Sequence, residues 1–183
     1  METINLPKAS ALTSPNPVTL VCTRKPDGST NLATVSWWTY LSFNPSMIAY
    51  AMAKTSFSGE MVRENKKVIL TIPGAAIKEA VMGCGMSTGR NTDKIEKLGI
   101  EMQSVPGSDI QVPAHTRVAI QCTLKEFHEV GDHYLYICDV EQVEKSPRQP
   151  HLHGKIASPS RSFSPTLTAK SRTPYNWEWH TTV

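Results

Sequence analysis

No run of apolar residues in this 183-residue chain approaches the ~20 that a membrane-spanning helix requires, so none is expected. The first ten residues, METINLPKAS, lack the basic segment followed by an apolar one that marks a secretory signal. A cytoplasmic protein is the resulting expectation. The four cysteines (Cys22, Cys84, Cys122, Cys138) are widely spaced and form no CxxC pair. In a reducing compartment they are expected as free thiols in a core rather than as disulfides. A GxGxxG fingerprint is missing, which argues against a Rossmann-type nucleotide fold. No acid–base triad stands out.

Charge is also scarce, at 19% of residues against 39% hydrophobic, a balance that does not describe a disordered chain. The net charge of +3 is not spread evenly. Residues 149–183 carry four Lys/Arg and one acidic residue, leaving 15 of each sign in the first 148. A neutral body with a basic tail gives no reason to expect nucleic-acid binding by the body. The length suits one domain with a real core. The expected division is a flexible leader over 1–13, a domain over 14–148, and a Ser/Thr/Pro-rich tail over 149–183. In that tail 14 of 35 residues are Ser, Thr or Pro, and no period of 2 or 3.6 runs through it. His151 and His153 would share one face of a strand, but a third metal ligand is not nearby, so no metal site is expected.

What is present is mainly strand. Residues 18–24 and 31–38 flank Pro26-Asp27-Gly28 and read as a hairpin. Asn44-Pro45-Ser46 is turn chemistry, and Met47–Ala53 a buried strand. Residues 58–66 read as a short helix, 68–72 as a strand, 75–82 as a helix. Thr92 is placed to cap another helix running to about Leu98. Residues 101–116 read as irregular. Two long alternating strands follow, 117–128 and 133–143, turned at Gly131-Asp132. Six strands, mostly antiparallel, with few helices, suggest a small closed barrel.

The stretch from Asn31 to Glu60 concentrates the chemistry. Lys54, Thr55, Ser56 and Ser58 enter a helix, and a cation, hydroxyls and free helix amides suit a phosphate. The same cluster also serves as a plain helix cap. Upstream, Thr34, Ser36 and Ser42 set polar groups beside flat surface. Trp37 and Trp38 point to opposite faces of a strand, so one belongs to a core and the other is free to line a ring pocket, unless both pack inside. Downstream, Gly83-Cys84-Gly85-Met86-Ser87-Thr88-Gly89-Arg90 has three glycines in seven positions, which marks unusual backbone angles or close approach. Cys84 is a turn-packing residue or a reactive thiol. Arg90 and Lys94 are an exposed pair or a source of positive charge near a phosphate. His133 is most simply a residue of the turn.

The ordered set Pro17-Val18-Thr19-Leu20-Val21, Asn31–Trp37, Leu41-Ser42-Phe43-Asn44-Pro45, Ser87-Thr88-Gly89-Arg90 with Asp93-Lys94, and Gly131-Asp132-His133 resembles the flavin reductase-like FMN-binding split-barrel family, flavoredoxin type. The likeness covers roughly residues 14–146. It implies a six-stranded antiparallel split β-barrel with a few short helices. It implies an FMN phosphate at Lys54, Thr55, Ser56 and Ser58, and a ribityl chain and ring along Thr34, Val35, Ser36, Trp37 and Ser42. It further implies Cys84, Arg90 and Lys94 as cofactor-side residues, with the Gly83 to Arg90 loop and His133 near the flavin face on which nicotinamide stacks. The implied activity is electron transfer from NAD(P)H to free flavin or a small acceptor. The alternatives are a carrier reduced by a partner protein, or a split-barrel binding module without catalysis. A homodimer is implied. The tail does not match the family pattern.

Overall fold

The computed structural model describes residues 17–146. β1 (Thr19–Arg24) and β2 (Thr30–Val35) form the first hairpin, with Thr19 opposite Val35 and Arg24 opposite Thr30. Its turn follows from composition. Gly28 takes φ 86°, where a residue without Cβ meets no penalty. The Asp27 carboxylate accepts from the amide and the hydroxyl of Ser29. β3 (Trp38–Phe43) and β4 (Ser46–Ala53) make the second hairpin, turned at the cis Asn44–Pro45 bond. α1 (Phe57–Asn65) leads to β5 (Lys67–Pro73). A short 3₁₀ turn, Ala75–Ile77, enters α2 (Lys78–Gly85), and α3 (Lys94–Lys97) is a single turn. β6 (Met102–Gln103) and β7 (Val112–Pro113) precede the long pair β8 (Thr116–Val130) and β9 (His133–Lys145).

All main strands join one antiparallel sheet of seven, in the order β2-β1-β5-β8-β9-β4-β3. The fold is therefore mainly β, as expected, but with more strands than the six read from sequence. β6 and β7 form a separate two-stranded sheet inside the segment read as irregular. The largest departure lies at 31–38. It reads as one strand, yet β2 stops at Val35 and β3 starts at Trp38.

That break is topological. β2 and β3 are consecutive in the chain but hold opposite edges of the sheet. Laid flat, seven strands at about 4.8 Å spacing would set those edges about 29 Å apart. The chain from Val35 to Trp38 reaches only about 10 Å. The sheet must curl until its edges approach. Val35 accordingly shares one apolar cluster with Ile48 and Tyr50 of β4. The carbonyl of Trp37 accepts the Ala51 amide at 2.9 Å, but no ladder joins β2 to β4.

Side-chain alternation then creates two cores. Val21, Val68, Leu70, Ile120, Cys122, Tyr136 and Cys138 point into the curled sheet. Their neighbours Leu20, Cys22, Ile69 and Ala119 point outward and are covered by Ile77, Val81 and Cys84 of the α2 region and by Ile100, Val105, Ile110 and Val112. Strands buried on both faces lose the apolar/polar alternation of a half-exposed sheet, which is why β1 and β5 read as near-continuous apolar runs. Tyr50 and Tyr136 stack in the inner core with ring centroids 5.0 Å apart. All four cysteines are free and buried. No helix among the described residues is long and apolar enough to cross a membrane.

α1 seats on the inner core through a glycine. A Cβ on Gly59 would lie 2.4 Å from the Tyr136 hydroxyl oxygen and 3.3 Å from its ring. Gly59→Ala should therefore lower stability by about 1–3 kcal/mol in urea unfolding, the usual cost of overpacking. Adding Tyr136→Phe, which removes the clashing oxygen, should recover part of the loss. Additive losses in that double-mutant cycle would show that the two positions do not meet.

Candidate functional site

The place where the sheet edges approach is also where a groove opens. It has a volume of about 480 Å³. One wall is the end of β2 and its link, Ala33 to Trp37; the other is the end of α2 and the loop after it, Cys84 to Gly89. The end of β4 (Ala51–Ala53) and the entry to α1 (Thr55–Ser58) close the sides, with Lys94 and His133 completing the lining.

Local chemistry explains the entry to α1. Ser56 is the N-cap, and its hydroxyl accepts the Gly59 amide at 3.2 Å. The remaining first-turn amides of a helix have no intrahelical acceptor, so they are available to an anion. Ser58 is buried, and its hydroxyl accepts the Asn31 side-chain amide at 2.7 Å. Asn31 also sets the loop wall. A Cβ on Gly89 would lie 1.9 Å from the Asn31 side-chain oxygen, so only glycine permits this approach.

The other end of the groove is flatter. Trp37 is half exposed, and its ring lies 5.0 Å from that of His133, tilted by 32°. Trp38 points the other way, packs on the inner core and donates its indole N–H to the Pro17 carbonyl at 3.1 Å. His133 Nδ1 lies 2.7 Å from an Asp132 carboxylate oxygen. That pairing holds the Asp132 carboxyl below its ordinary value. Among the described residues no cluster of three or more metal-ligating side chains occurs; His151 and His153 lie outside them.

Of the residues singled out in the sequence, the groove brings together Thr34, Val35, Ser36, Trp37, Thr55, Ser56, Ser58, Cys84, Lys94 and His133. Ser42 is instead on β3, next to the irregularity in its pairing with β4. Lys54 turns its ammonium to the Glu129 carboxylate and lies 5.8 Å from the centre of the Tyr134 ring, so it belongs to the β8–β9 hairpin. Arg90 pairs with Glu60 of α1 at 2.5 Å and stacks 5.1 Å from the Phe57 ring centre. Cys84 is buried, and burial pushes its thiol above the ordinary value despite the nearby Lys94 ammonium. It is a packed thiol and not an activated one. Lys94 is no exposed partner of Arg90: it is 5% exposed, and its ammonium donates to the carbonyls of Leu32 and Cys84. The cap that Thr92 was expected to supply comes from Asp93, which accepts the amides of Ile95 and Glu96.

Sequence reasoning missed Asn31 as a wall residue and did not single out Met52 and Met86, which also line the groove. The glycine-rich run was the one available signal, and it pointed to close approach without naming the partner.

The profile of the flavin reductase like domain matches residues 11–158. The chain belongs to that family. Among solved structures it is similar to flavoredoxin of Desulfovibrio vulgaris (Miyazaki F), at 23% identity and TM-score 0.69, covering 80% of this chain and 78% of that one. It is also similar to an FMN-binding protein from Thermus thermophilus with bound 1-cyclohex-2-enone, at 20% identity and TM-score 0.69, covering 79% and 78%. A third is a putative flavin reductase with a split barrel domain from Shewanella frigidimarina, at 15% identity, TM-score 0.70, covering 79% and 76%. At these identities the likeness concerns the fold, a split barrel. An uncharacterized protein of Archaeoglobus fulgidus is 24% identical over 115 residues, 62% of this chain and 64% of that protein. The chain thus spans less than two thirds of that curated relative's length.

The Glu60–Arg90 pair tethers the loop wall to α1. Arg90 holds the Glu60 carboxyl below its ordinary value. A depressed carboxylate pKa means that the pairing is present above the ordinary value and lost as pH falls through the folded one. In Arg90→Ala the Glu60 carboxyl should titrate higher, back towards 4.5. Side-chain carboxyl NMR against pH checks this, and an unmoved midpoint would mean the pair does not form in solution.

Proposed function

We propose that the groove binds FMN and that the protein is a flavin reductase-like oxidoreductase passing electrons from NAD(P)H to free flavin or another small acceptor. The observation that supports this reading is the groove's polarity. One end offers hydroxyls and helix amides, suited to a phosphate. The other offers backbone, Trp37 and His133, suited to a flat polar ring. The flavin-binding unit in this reading is residues 14–148, with 149–183 appended, and the compartment is the cytoplasm.

Thr55, Ser56, Ser58 and the first-turn amides of α1 would hold the phosphate. Thr34, Val35, Ser36 and Trp37 would border the ribityl chain and ring. Bound flavin supplies the hydride and electron chemistry; the protein supplies position and electrostatics. Glu60, in the first turn of α1, would repel a phosphate, and Arg90 neutralises it. Lys54 and Ser42 are not among the residues lining the groove. The Asp132 carboxylate accepts from His133 Nδ1, which fixes the proton there and leaves Nε2 as the nitrogen free for a nicotinamide-side ligand.

A homodimer is part of the same reading. β3 is an edge strand of the sheet, and Tyr40, Leu41 and Phe43 on it are 56%, 48% and 81% exposed. An unpaired apolar edge of this kind calls for cover. Phe43→Lys should shift the protein from dimer to monomer by light scattering; a wild-type monomer would remove the dimer from the reading.

The visible spectrum decides the function. Wild-type protein mixed with FMN under anaerobic conditions should show perturbed flavin bands, and NADH or NADPH should bleach them. Bands that bleach only with dithionite would favour a carrier reduced by a partner protein. Spectra identical to free FMN would leave a split-barrel binding module without flavin.

A further inference from the structure

Lys94 lines the groove, and the reading above makes no use of its charge. It is buried there, and its ammonium pairs with no carboxylate among the described residues. It donates instead to two backbone carbonyls, Leu32 at 2.8 Å and Cys84 at 2.9 Å. Both acceptors need a donor. Leu32 lies on β2, an edge strand of the sheet, and Cys84 lies in the last turn of α2, where helix carbonyls have no intrahelical partner. The Leu32 carbonyl adjoins the 33–37 wall, and the Cys84 carbonyl belongs to the facing one.

We propose that Lys94 is the positioning residue of the groove, a buried clamp that fixes the distance between the 33–37 wall and the 85–89 wall. The proposal deepens the flavin reading and rests on it. Three further contacts agree. The Thr34 hydroxyl donates to the Val81 carbonyl of α2, a second pin between the same elements. Gly85 comes so close that a Cβ would lie 3.3 Å from Thr34 Cβ. Asp93, next in the chain, spends its carboxylate on the amides of Ile95 and Glu96, which anchors the turn that carries Lys94 and leaves the ammonium to the two carbonyls. Lys94 thus acts through backbone, on whatever ring and chain the walls enclose. This is a different role from direct pairing with a phosphate.

FMN and riboflavin separate the two roles, because riboflavin lacks the phosphate. Both affinities are measured by fluorescence quenching for wild type and Lys94→Met, with folding checked by near-ultraviolet circular dichroism. Amide hydrogen exchange is followed in the ligand-free proteins. Losing one charge-assisted clamp should weaken FMN and riboflavin alike, by roughly 10- to 100-fold. Exchange should quicken in 33–37 and 85–89 and stay unchanged in β8 and β9. A loss confined to FMN would make Lys94 a phosphate ligand and overturn the proposal. Unchanged exchange in both walls would overturn it too. Wild-type protein that binds neither flavin would overturn the flavin reading, and the exchange comparison then decides the clamp alone. Thr34→Val removes the second pin and guards against a Lys94→Met that fails to fold. It should give a smaller loss, again equal for both flavins, and an FMN-only loss there would also count against the clamp.

Discussion

The structure depends on a two-residue tether. Ser36 and Trp37 join strands that hold opposite edges of a seven-stranded sheet, and so short a link leaves the sheet no choice but to curl. Curling brings Val35 into the same apolar cluster as Ile48 and Tyr50, and that shared burial maintains the curvature. The edges meet but do not zip. The Trp37 carbonyl takes the Ala51 amide of β4 without starting a ladder, and the groove opens there.

A seam is a reasonable place for a binding site on physical grounds. Edge strands carry unpaired carbonyls and amides that must find partners. Here the buried Lys94 ammonium meets the Leu32 carbonyl of one edge, the Thr34 hydroxyl of that edge reaches the Val81 carbonyl of α2, and the glycine-rich 83–89 run packs beside them. The start of α1 also lines the groove, and its first-turn amides lack intrahelical acceptors. Polar backbone that would be a liability in a closed barrel becomes the lining of the groove.

Much of this was legible in the sequence wherever the cause was local. The Pro26-Asp27-Gly28 turn, the alternation in β8 and β9, and the hydroxyls capping α1 all depend on neighbours a few residues away. What was not legible depends on distant partners. The break at Ser36–Trp37 contains no glycine, proline or asparagine, since its cause is sheet topology. Lys54 looked like part of the phosphate cluster, but Glu129 on the far hairpin sets its direction. Lys94 read as an exposed partner of Arg90 or as charge near a phosphate; its burial follows from where α3 packs against β2. The β6–β7 pair is too short to leave a pattern in 101–116.

The two-sided burial of the sheet has a consequence for how such a protein can change over time. The inner cluster sets the radius of the curl, while the outer one, from Leu20 and Ile69 to Ile77 and Val81, sets only how high α2 rides. Interiors are close-packed, so a methyl gained or lost in the outer cluster is felt by the element above it. Drift in the outer cluster therefore moves one wall of the groove without disturbing the curl. Ligand preference and scaffold integrity are inherited on opposite faces of the same strands.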